Sequence, residues 1–241
     1  STTMSLNNIL KDIINDKRSG SSKIIKNTLE LLKKVEEDER YKVCERIVKA
    51  HPSMAGLRFI AEFVKSNPQI EELKLEIEKM NSKTVENLAS VVDNKVVTTL
   101  SRSHIVEKGL LKARKINVLE SLPEKEGIEM ARWLKGRDKE VEIFHDAFVS
   151  YAVKNCDLVV VGADTILKNG FINKTGTLPL ALVAKHFNKE FYVASPSYKL
   201  VRAELNVEFD ETFEFVDDKL VTALIWEGGI EEWRKLKEVE W

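Results

Sequence analysis

The chain of 241 residues contains only two cysteines, and this scarcity limits the structural chemistry available to it. Cys44 and Cys156 are far apart in the sequence, and neither belongs to a Cys-x-x-Cys pair or a Cys/His cluster. A disulfide scaffold and a structural zinc site are therefore excluded. We expect two reduced core thiols in a cytoplasmic protein.

The sequence also lacks an excess of either charge and any long hydrophobic run. It has 38 Lys and Arg against 39 Asp and Glu, for a formal net charge of −1. Because no basic arm is present to neutralise phosphates, we expect no direct DNA binding. No window approaches about 18 uncharged apolar residues, and the first residues form no secretory segment, so we expect neither a membrane span nor export.

The first part of the chain has the apolar periodicity of helices. Residues such as Ile24 and Leu29 recur at helical spacing, charged residues fill the positions between them, and no strand pattern interrupts them. Ser21 or Ser22 is predicted to cap the second helix. We interpret residues 1–91 as an N-terminal helical domain.

From residue 92 onward, short β-branched runs alternate with amphipathic segments. We predict strands over residues 96–99, 116–119, 142–144, 158–161 and 191–194. We predict helices between them over residues 105–114, 125–135, 147–154 and 178–187, and a short C-terminal helix over 230–238. Such alternation is typical of βαβ units. The fold class is therefore α/β, with the helical domain followed by a Rossmann-like parallel-sheet domain over residues 92–241.

Ligands of open α/β sheets bind beyond the carboxyl ends of the strands, which directs attention to Asp164. This residue follows the apolar run 158–161 through Gly162-Ala163. A carboxylate at that place can have its pKa tuned for acid–base chemistry or can bind sugar hydroxyls. A turn or helix-capping aspartate is an equal interpretation of Asp164 taken alone.

Residues 169–177 combine a turn with a pattern that suits an anion. Asn169-Gly170 is typical of a tight turn, and Asn173-Lys174-Thr175-Gly176-Thr177 leads into a predicted helix. Free N–H groups at a helix start, together with Lys174, favour a phosphate, although a plain helix cap fits equally well. The pattern is neither a Walker A nor a Gly-x-Gly-x-x-Gly motif, so we expect neither ATPase activity nor a dinucleotide cofactor.

A third polar cluster, residues 98–104, follows the first predicted strand. Ser101, Arg102 and His104 lie in it and could hold a phosphate. No Gly-x-Ser-x-Gly elbow surrounds Ser101, so a hydrolase nucleophile is not predicted. The other three histidines show no ligand spacing, and we predict no metal site.

These segments occur together in the spacing of one protein family. The chain resembles the translation initiation factor 2B alpha/beta/delta family in Gly162-Ala163-Asp164, Asn169-Gly170, Asn173-Lys174-x-Gly176-Thr177, Leu180-Ala181-x-x-Ala184-Lys185 and Phe191-Tyr192-Val193-Ala194. That family includes methylthioribose-1-phosphate isomerase and the archaeal ribose-1,5-bisphosphate isomerase. The resemblance implies a helical N-terminal domain and a Rossmann-like C-terminal domain.

The resemblance implies a catalytic set that is incomplete in this chain. The isomerases are thought to use a Cys and an Asp as an acid–base pair, and Asp164 corresponds to the Asp. Ungapped alignment of Thr98 places Leu100 at the Cys position, and a shift by one places Ser101 there. Neither side chain can replace a thiol as an acid at neutral pH.

The family's phosphate-binding arginines are also missing or displaced. Its Arg-Gly-Ala loop corresponds to Ser19-Gly20-Ser21, with Arg18 one position early. Its Arg-Pro-Thr corresponds to His51-Pro52-Ser53, and its Glu-Thr-Arg-Pro-Arg to Glu120-Ser121-Leu122-Pro123-Glu124. The positions that we assign to a ligand are Asp164, Asn173, Lys174, Ser101, Arg102, Gly20, Ser21 and His51.

We therefore expect a non-catalytic, initiation-factor-2B-like regulatory subunit that binds the alpha subunit of initiation factor 2. We also expect its pocket around Asp164 to sense a sugar phosphate or a nucleotide. The alternatives are an aldose–ketose isomerase of a phosphorylated ribose, with Asp164 as the proton donor, and a metabolite-binding module unrelated to translation. The resemblance implies at least a homodimer. The interface candidates are Trp226, Trp233 and Trp241, although packing of the last helix within the chain is an equal interpretation.

Overall fold

Helices form the first part of the chain in the computed structural model, which describes residues 2–201 and 207–238. They are α1 (Thr2–Asn15), α2 (Ser21–Leu32), α3 (Arg40–Ala50), α4 (Ala55–Val64) and α5 (Ile70–Val92). Their apolar stripes face one another, and the side chains of Ile24, Leu32, Ile47, Leu57 and Leu73 are almost completely buried. None of the described helices has the length and apolar character needed to cross a membrane.

The remaining described residues are built on a seven-stranded sheet and a smaller three-stranded one. In chain order the elements are β1 (Val96–Leu100), α6 (His104–Gly109), β2 (Lys115–Leu119), α7 (Glu126–Lys135), β3 (Glu140–Phe144), α8 (Val149–Lys154), β4 (Leu158–Val161), β5 (Thr165–Leu167), β6 (Gly170–Lys174), α9 (Thr177–His186), β7 (Glu190–Ala194), β8 (Phe213–Asp217), β9 (Ala223–Trp226), β10 (Gly229–Glu231) and α10 (Trp233–Glu238). The large sheet has the order β10-β9-β7-β4-β1-β2-β3, and the small one the order β5-β6-β8.

The described strand pairs of the large sheet are parallel, except for the antiparallel pair β9–β10. The five predicted strands are β1, β2, β3, β4 and β7, so the predicted α/β class is confirmed. β4 alternates between two cores: Val159 and Val161 pack with α8 and α9, and Leu158 and Val160 pack on the opposite face. An apolar run covered on both faces is what a central parallel strand requires.

The order of the strands places a switch point between β1 and β4. From β1 the chain moves outward to β2 and β3, and from β4 it moves the other way to β7 and β9. Loops leaving the carboxyl ends of β1 and β4 therefore diverge and leave a crevice between them. This is the position at which open α/β sheets bind ligands.

Helix α5 belongs to both cores, so it joins the helical part to the sheet. Its first half contributes Leu73 and Ile77 to the helical core, and its second half contributes Leu88 and Val92 to the core under the sheet. Tyr198, which follows β7, returns to the helical core, and its hydroxyl donates a 2.7 Å hydrogen bond to Asn81. The division at residue 91 stays a prediction.

Several elements differ from the sequence-based expectation. The strands of the small sheet and the β9–β10 hairpin were not predicted, because each is short and gains its partners only from distant segments. The helix predicted over 230–238 is wrong at its start: Ile230 lies in β10, and α10 begins at Trp233. Gly229 has a φ of +128°, which permits the tight turn between β9 and β10.

Candidate functional site

A polar cavity of about 430 Å³ opens at the switch point between β1 and β4. Its walls are residues 17–23 from the α1–α2 loop and the start of α2, 100–104 from the end of β1 to the start of α6, and 162–164 after β4, with further side chains from β6 and α7. A volume in this range suits a small metabolite. The helical part and the sheet both contribute, so the cavity lies where the two meet.

Most of the predicted ligand-binding residues lie in this one cavity. Those that line it are Asp164, Asn173, Lys174, Ser101, Arg102, Gly20 and Ser21. His51 is not among the described lining residues. Its buried imidazole contacts the Ile13 carbonyl oxygen, 2.7 Å from Nε2, and burial lowers its pKa.

Asp164 is held by its backbone and leaves its carboxylate to the cavity. Its N–H donates to the Ile172 carbonyl at 2.9 Å, and its own carbonyl accepts from the Ala55 N–H at 3.1 Å. It caps no helix, because β5 follows it directly. The partly buried carboxylate accepts no hydrogen bond from any residue that the structure describes. A fixed acceptor without a partner is suited to a ligand's hydroxyl or N–H groups.

The surroundings of Asp164 favour its protonated form. Burial raises its pKa to about 6, and the nearby carboxylate of Glu126 adds to the rise. The ammonium groups of Lys199 and Lys174 oppose the shift but do not cancel it. A carboxyl group with such a pKa can exchange a proton near neutral pH.

Lys199 is a cavity residue that the sequence analysis missed. Its side chain is 6% exposed, and Nζ donates to Ser21 Oγ and to the Ala163 carbonyl, each at 3.0 Å. Burial lowers the pKa of Lys199, whereas Asp164 opposes that change. The one sequence signal was its position just after a predicted strand; no motif surrounds it.

The start of α2 places backbone N–H donors in the wall of the cavity. Gly20, rather than the predicted Ser21 or Ser22, occupies the N-cap position, because Ser21 is already helical and its hydroxyl accepts from Lys199. The first described helical hydrogen bond of α2 runs from the Ile24 N–H to the Gly20 carbonyl. No residue that the structure describes accepts a hydrogen bond from the N–H groups of Ser21, Ser22 or Lys23, so these donors suit an anion.

The hairpin β5–β6 carries Asn173 and Lys174 to the cavity. The predicted turn at Asn169-Gly170 joins these strands, with Gly170 at a φ of +156°. Asn173 Nδ2 donates to Thr177 Oγ1 at 3.2 Å, and Lys174 Nζ contacts Glu126 Oε1 at 2.7 Å.

The start of α9 differs from the expectation that it binds a phosphate. Glu214 from β8 accepts from the N–H groups of Gly176 and Leu178, each at 2.8 Å. A carboxylate of the chain therefore already occupies this helix start. The sequence analysis missed Glu214 because it did not predict β8. This strand pairs with β6 although α9 and β7 lie between them in the chain.

Arg102 and His104 are fixed by one buried carboxylate. Glu107 Oε2 accepts from Arg102 Nε at 2.9 Å, and Glu107 Oε1 lies 3.0 Å from His104 Nδ1. Burial alone would raise the pKa of Glu107, but the hydrogen bonds from His104 and Arg102 outweigh it and lower the pKa. Arg102 is thereby preorganised in the cavity wall.

No thiol reaches the cavity. Cys44 lies in the helical core and Cys156 in the sheet core, and burial raises the pKa of both, that of Cys44 to about 12. Leu100 and Ser101 line the cavity at the two alignments of the family's Cys. Within the part of the chain that the structure describes, no group of three or more His, Cys, Asp or Glu is placed to hold a metal.

The tryptophans proposed for an interface have different positions. Trp233 is 3% exposed, packs on Phe171 and donates from Nε1 to the Leu167 carbonyl at 3.1 Å. It is a core residue, so its prediction as an interface residue is wrong. Trp226 is partly buried, and Trp241 lies outside the described residues.

A mostly parallel α/β sheet with a polar cavity at its switch point, joined to a helical bundle, defines a Rossmann-like α/β protein. The chain belongs to the initiation factor 2 subunit family, whose model matches residues 4–225.

The chain is similar both to proteins named as initiation factor subunits and to a protein named as an isomerase. A translation initiation factor eIF-2B subunit 2-like protein of Pyrococcus furiosus is 33% identical over 214 residues, or 79% of this chain and 78% of that protein. A methylthioribose-1-phosphate isomerase of Bacillus mycoides is 30% identical over 179 residues, or 61% of this chain and 51% of the isomerase. The crystal structure of the Pyrococcus horikoshii translation initiation factor eIF-2B has a TM-score of 0.83 at 26% identity, covering 95% of this chain and 97% of that one.

Proposed function

We propose that this protein is an initiation-factor-2B-like regulatory subunit whose cavity binds a sugar phosphate or a nucleotide without converting it. One observation carries the proposal. The cavity keeps Asp164, Asn173 and Lys174, but it has Leu100 and Ser101 where the isomerases of the family would need a thiol. A binding site with half of its acid–base pair retains recognition and loses turnover.

The cavity contains donors for the phosphate of such a ligand and an acceptor for its sugar. The N–H groups at the start of α2 and the ammonium of Lys199 are donors for a phosphate. The carboxylate of Asp164 is an acceptor for the ribose hydroxyls. A phosphorylated ribose presents both kinds of group at one time.

Thermal-shift screening tests the ligand. The compounds are ribose 1,5-bisphosphate, methylthioribose 1-phosphate, AMP, GMP and GDP, each at a concentration well above its expected Kd. A ligand at about 100 times its Kd stabilises the folded protein by about 2.7 kcal/mol, which is easily measured. We expect a shift with at least one compound, lost in Asp164→Ala and kept in Asp12→Asn, an exposed aspartate outside the cavity. Five negative results would contradict the proposal.

We propose the alpha subunit of initiation factor 2 and a second copy of this chain as partners. The relatives named as eIF-2B subunits support this, as does the fold shared with the crystallised tetrameric eIF2B-beta2-delta2 complex of C. thermophilum (TM-score 0.78, 16% identity). A pull-down with the alpha subunit tests the first partner, and sedimentation at micromolar concentration tests the second. Recovery of no alpha subunit, or a mass of 27.5 kDa, would contradict the respective partner.

An aldose–ketose isomerase of a phosphorylated ribose is the second candidate. The pKa of about 6 favours it, because Asp164 can then donate a proton near neutral pH. It requires another residue in place of the thiol. Turnover of ribose 1,5-bisphosphate or methylthioribose 1-phosphate that Asp164→Asn abolishes would favour the isomerase over the regulatory subunit.

A further inference from the structure

One short segment places three carboxylates on three cations of the cavity. Residues 124–129 run from the loop after β2 into the first turn of α7, and we name them the acidic strap. Each carboxylate meets a cation from a different part of the chain: the pairs are Arg18–Glu124 at 3.4 Å, Lys174–Glu126 at 2.7 Å and Arg102–Glu129 at 3.8 Å.

The cations that the strap engages are ones that an anionic ligand would use. Arg18, Arg102 and Lys174 all line the cavity, and so do the three carboxylates. Of the other lining lysines, Lys17 donates to the Ala50 carbonyl and Lys199 to Ser21 Oγ, and Lys23 has no ion pair among the described residues. The strap therefore pairs with three of the six lysine and arginine side chains that line the cavity.

We propose that the acidic strap is an autoinhibitory contact, which occupies the cations of the cavity in place of an anionic ligand and must be displaced in part when that ligand binds. This inference rests on the proposed function, because it concerns the same cavity. It also deepens that function: the strap sets the affinity for the anionic part of a ligand and leaves the uncharged part unaffected.

The three pairs differ in how readily they open. The Arg18–Glu124 side chains are 83% and 36% exposed, and Glu129 is 62% exposed, so solvent screens both pairs. The Lys174–Glu126 side chains are only 8% and 19% exposed, and this pair holds the strap in place. The two outer carboxylates are therefore the ones that an anion displaces.

Arg102 remains in position when Glu129 leaves. The buried Glu107 accepts from Arg102 Nε at 2.9 Å, whereas Glu129 lies 3.8 Å from a different nitrogen, Nη1. An anion that replaces Glu129 thus finds a guanidinium that is already oriented. The strap competes with the ligand for this group and does not build the site.

Calorimetric titration of AMP and of adenosine into the full chain separates the contribution of the ligand's charged phosphate from that of its uncharged nucleoside. The proteins are the wild type, the double variant Glu124→Gln/Glu129→Gln and the control Glu62→Gln. Glu62 forms an equally exposed ion pair with Lys65 at 3.0 Å, and it does not line the cavity. Glutamine keeps the size of each side chain, and the exposed positions leave the fold unchanged.

We expect the double variant to bind AMP roughly four- to twenty-five-fold more tightly than the wild type, because each exposed pair contributes roughly a factor of two to five. Adenosine should bind the wild type and the double variant equally, and Glu62→Gln should change neither ligand.

The outcomes distinguish this proposal from the proposed function. Equal AMP affinities in the wild type and the double variant would overturn the strap and leave the proposed function intact. Binding by the double variant alone would support the strap and contradict a ligand in the wild-type cavity. A gain for adenosine equal to that for AMP, or no AMP binding by either protein, would overturn the strap.

Discussion

Replacing Asp164 by asparagine should stabilise the folded protein at neutral pH. The carboxylate lies in the cavity without a hydrogen bond from the described residues, and burial raises its pKa from the ordinary 3.8 to about 6. Ionisation is thus less favourable in the folded chain than in the unfolded one. Asparagine has the same shape and cannot ionise, so the variant avoids that cost.

The pH dependence has a definite sign. A raised pKa means that the folded protein binds more protons than the unfolded chain between pH 3.8 and about 6. Stability therefore falls as the pH rises through that window, and the full cost is present above pH 6. At about 1.4 kcal/mol per pH unit, the difference between the two pKa values of Asp164 corresponds to about 3 kcal/mol. This is the largest gain in the free energy of unfolding that Asp164→Asn can give.

Urea and thermal unfolding at pH 4 and pH 7.5 measure this effect. At about 2–4 °C per kcal/mol for a chain of this size, a gain of about 3 kcal/mol raises the Tm by about 6–12 °C at pH 7.5. At pH 4 the gain should almost vanish, because Asp164 is then protonated in the folded wild type. The matched control is Asp12→Asn, which removes an exposed carboxylate and should give no such pH-dependent gain.

Two outcomes would refute the reasoning. One is a variant less stable than the wild type at pH 7.5, which would mean that the Asp164 carboxylate makes a favourable interaction in the folded protein. The other is an equal gain at both pH values, because a gain independent of pH cannot come from ionisation. Such a gain would agree with the binding role proposed for Asp164, because a residue kept for function can lower the stability of the protein that contains it.

Two further substitutions test how the cavity is built. Gly127→Ala should lower the free energy of unfolding by about 1–3 kcal/mol in urea titrations, because the added Cβ would lie 1.9 Å from the Leu119 carbonyl oxygen. The control Gly136→Ala, whose added Cβ would have its nearest contact at 3.5 Å, should be tolerated. Equal effects of the two substitutions would argue against close packing as the cause. Lys199→Met should lower the same free energy by about 2 kcal/mol, because it removes the charged donor that ties Ser21 to the loop after β4, and an unchanged urea midpoint would show that this tie is not needed.

The central strands and one site residue could be predicted from the sequence because their causes are local. The run 158–161 is apolar at every position, which only a strand covered on both faces requires. Asp164 follows that strand, so the carboxyl-end rule places it in the crevice without any knowledge of its neighbours. The Asn169-Gly170 turn is likewise encoded by two adjacent residues.

The contacts that fix the side chains of the site join distant segments of the chain. Lys199 donates a hydrogen bond to Ser21, which lies 178 positions away in the chain, and no sequence pattern near either residue predicts this contact. Glu214 occupies the start of α9 from a strand that was not predicted. His51 resembled a binding position by alignment, but its imidazole contacts Ile13 within the helical bundle. Such pairings follow from the tertiary fold and not from local spacing.

The acidic strap shows a further limit of sequence reasoning. The sequence analysis assigned Lys174 and Arg102 to a ligand but did not predict that carboxylates of residues 124–129 would pair with them. Glu126 and Glu129 are one helical turn apart at the start of α7, an ordinary place for acidic residues. Only the fold brings that turn against Lys174 and Arg102.

Phosphorus NMR of the protein with methylthioribose 1-phosphate and ribose 1,5-bisphosphate tests the central claim most directly. We predict that the phosphate signal of at least one compound broadens or shifts in the presence of wild-type protein, and that no product signal appears after prolonged incubation. A ketose product that forms with the wild type and is absent with Asp164→Asn would contradict the claim that this cavity binds without catalysis.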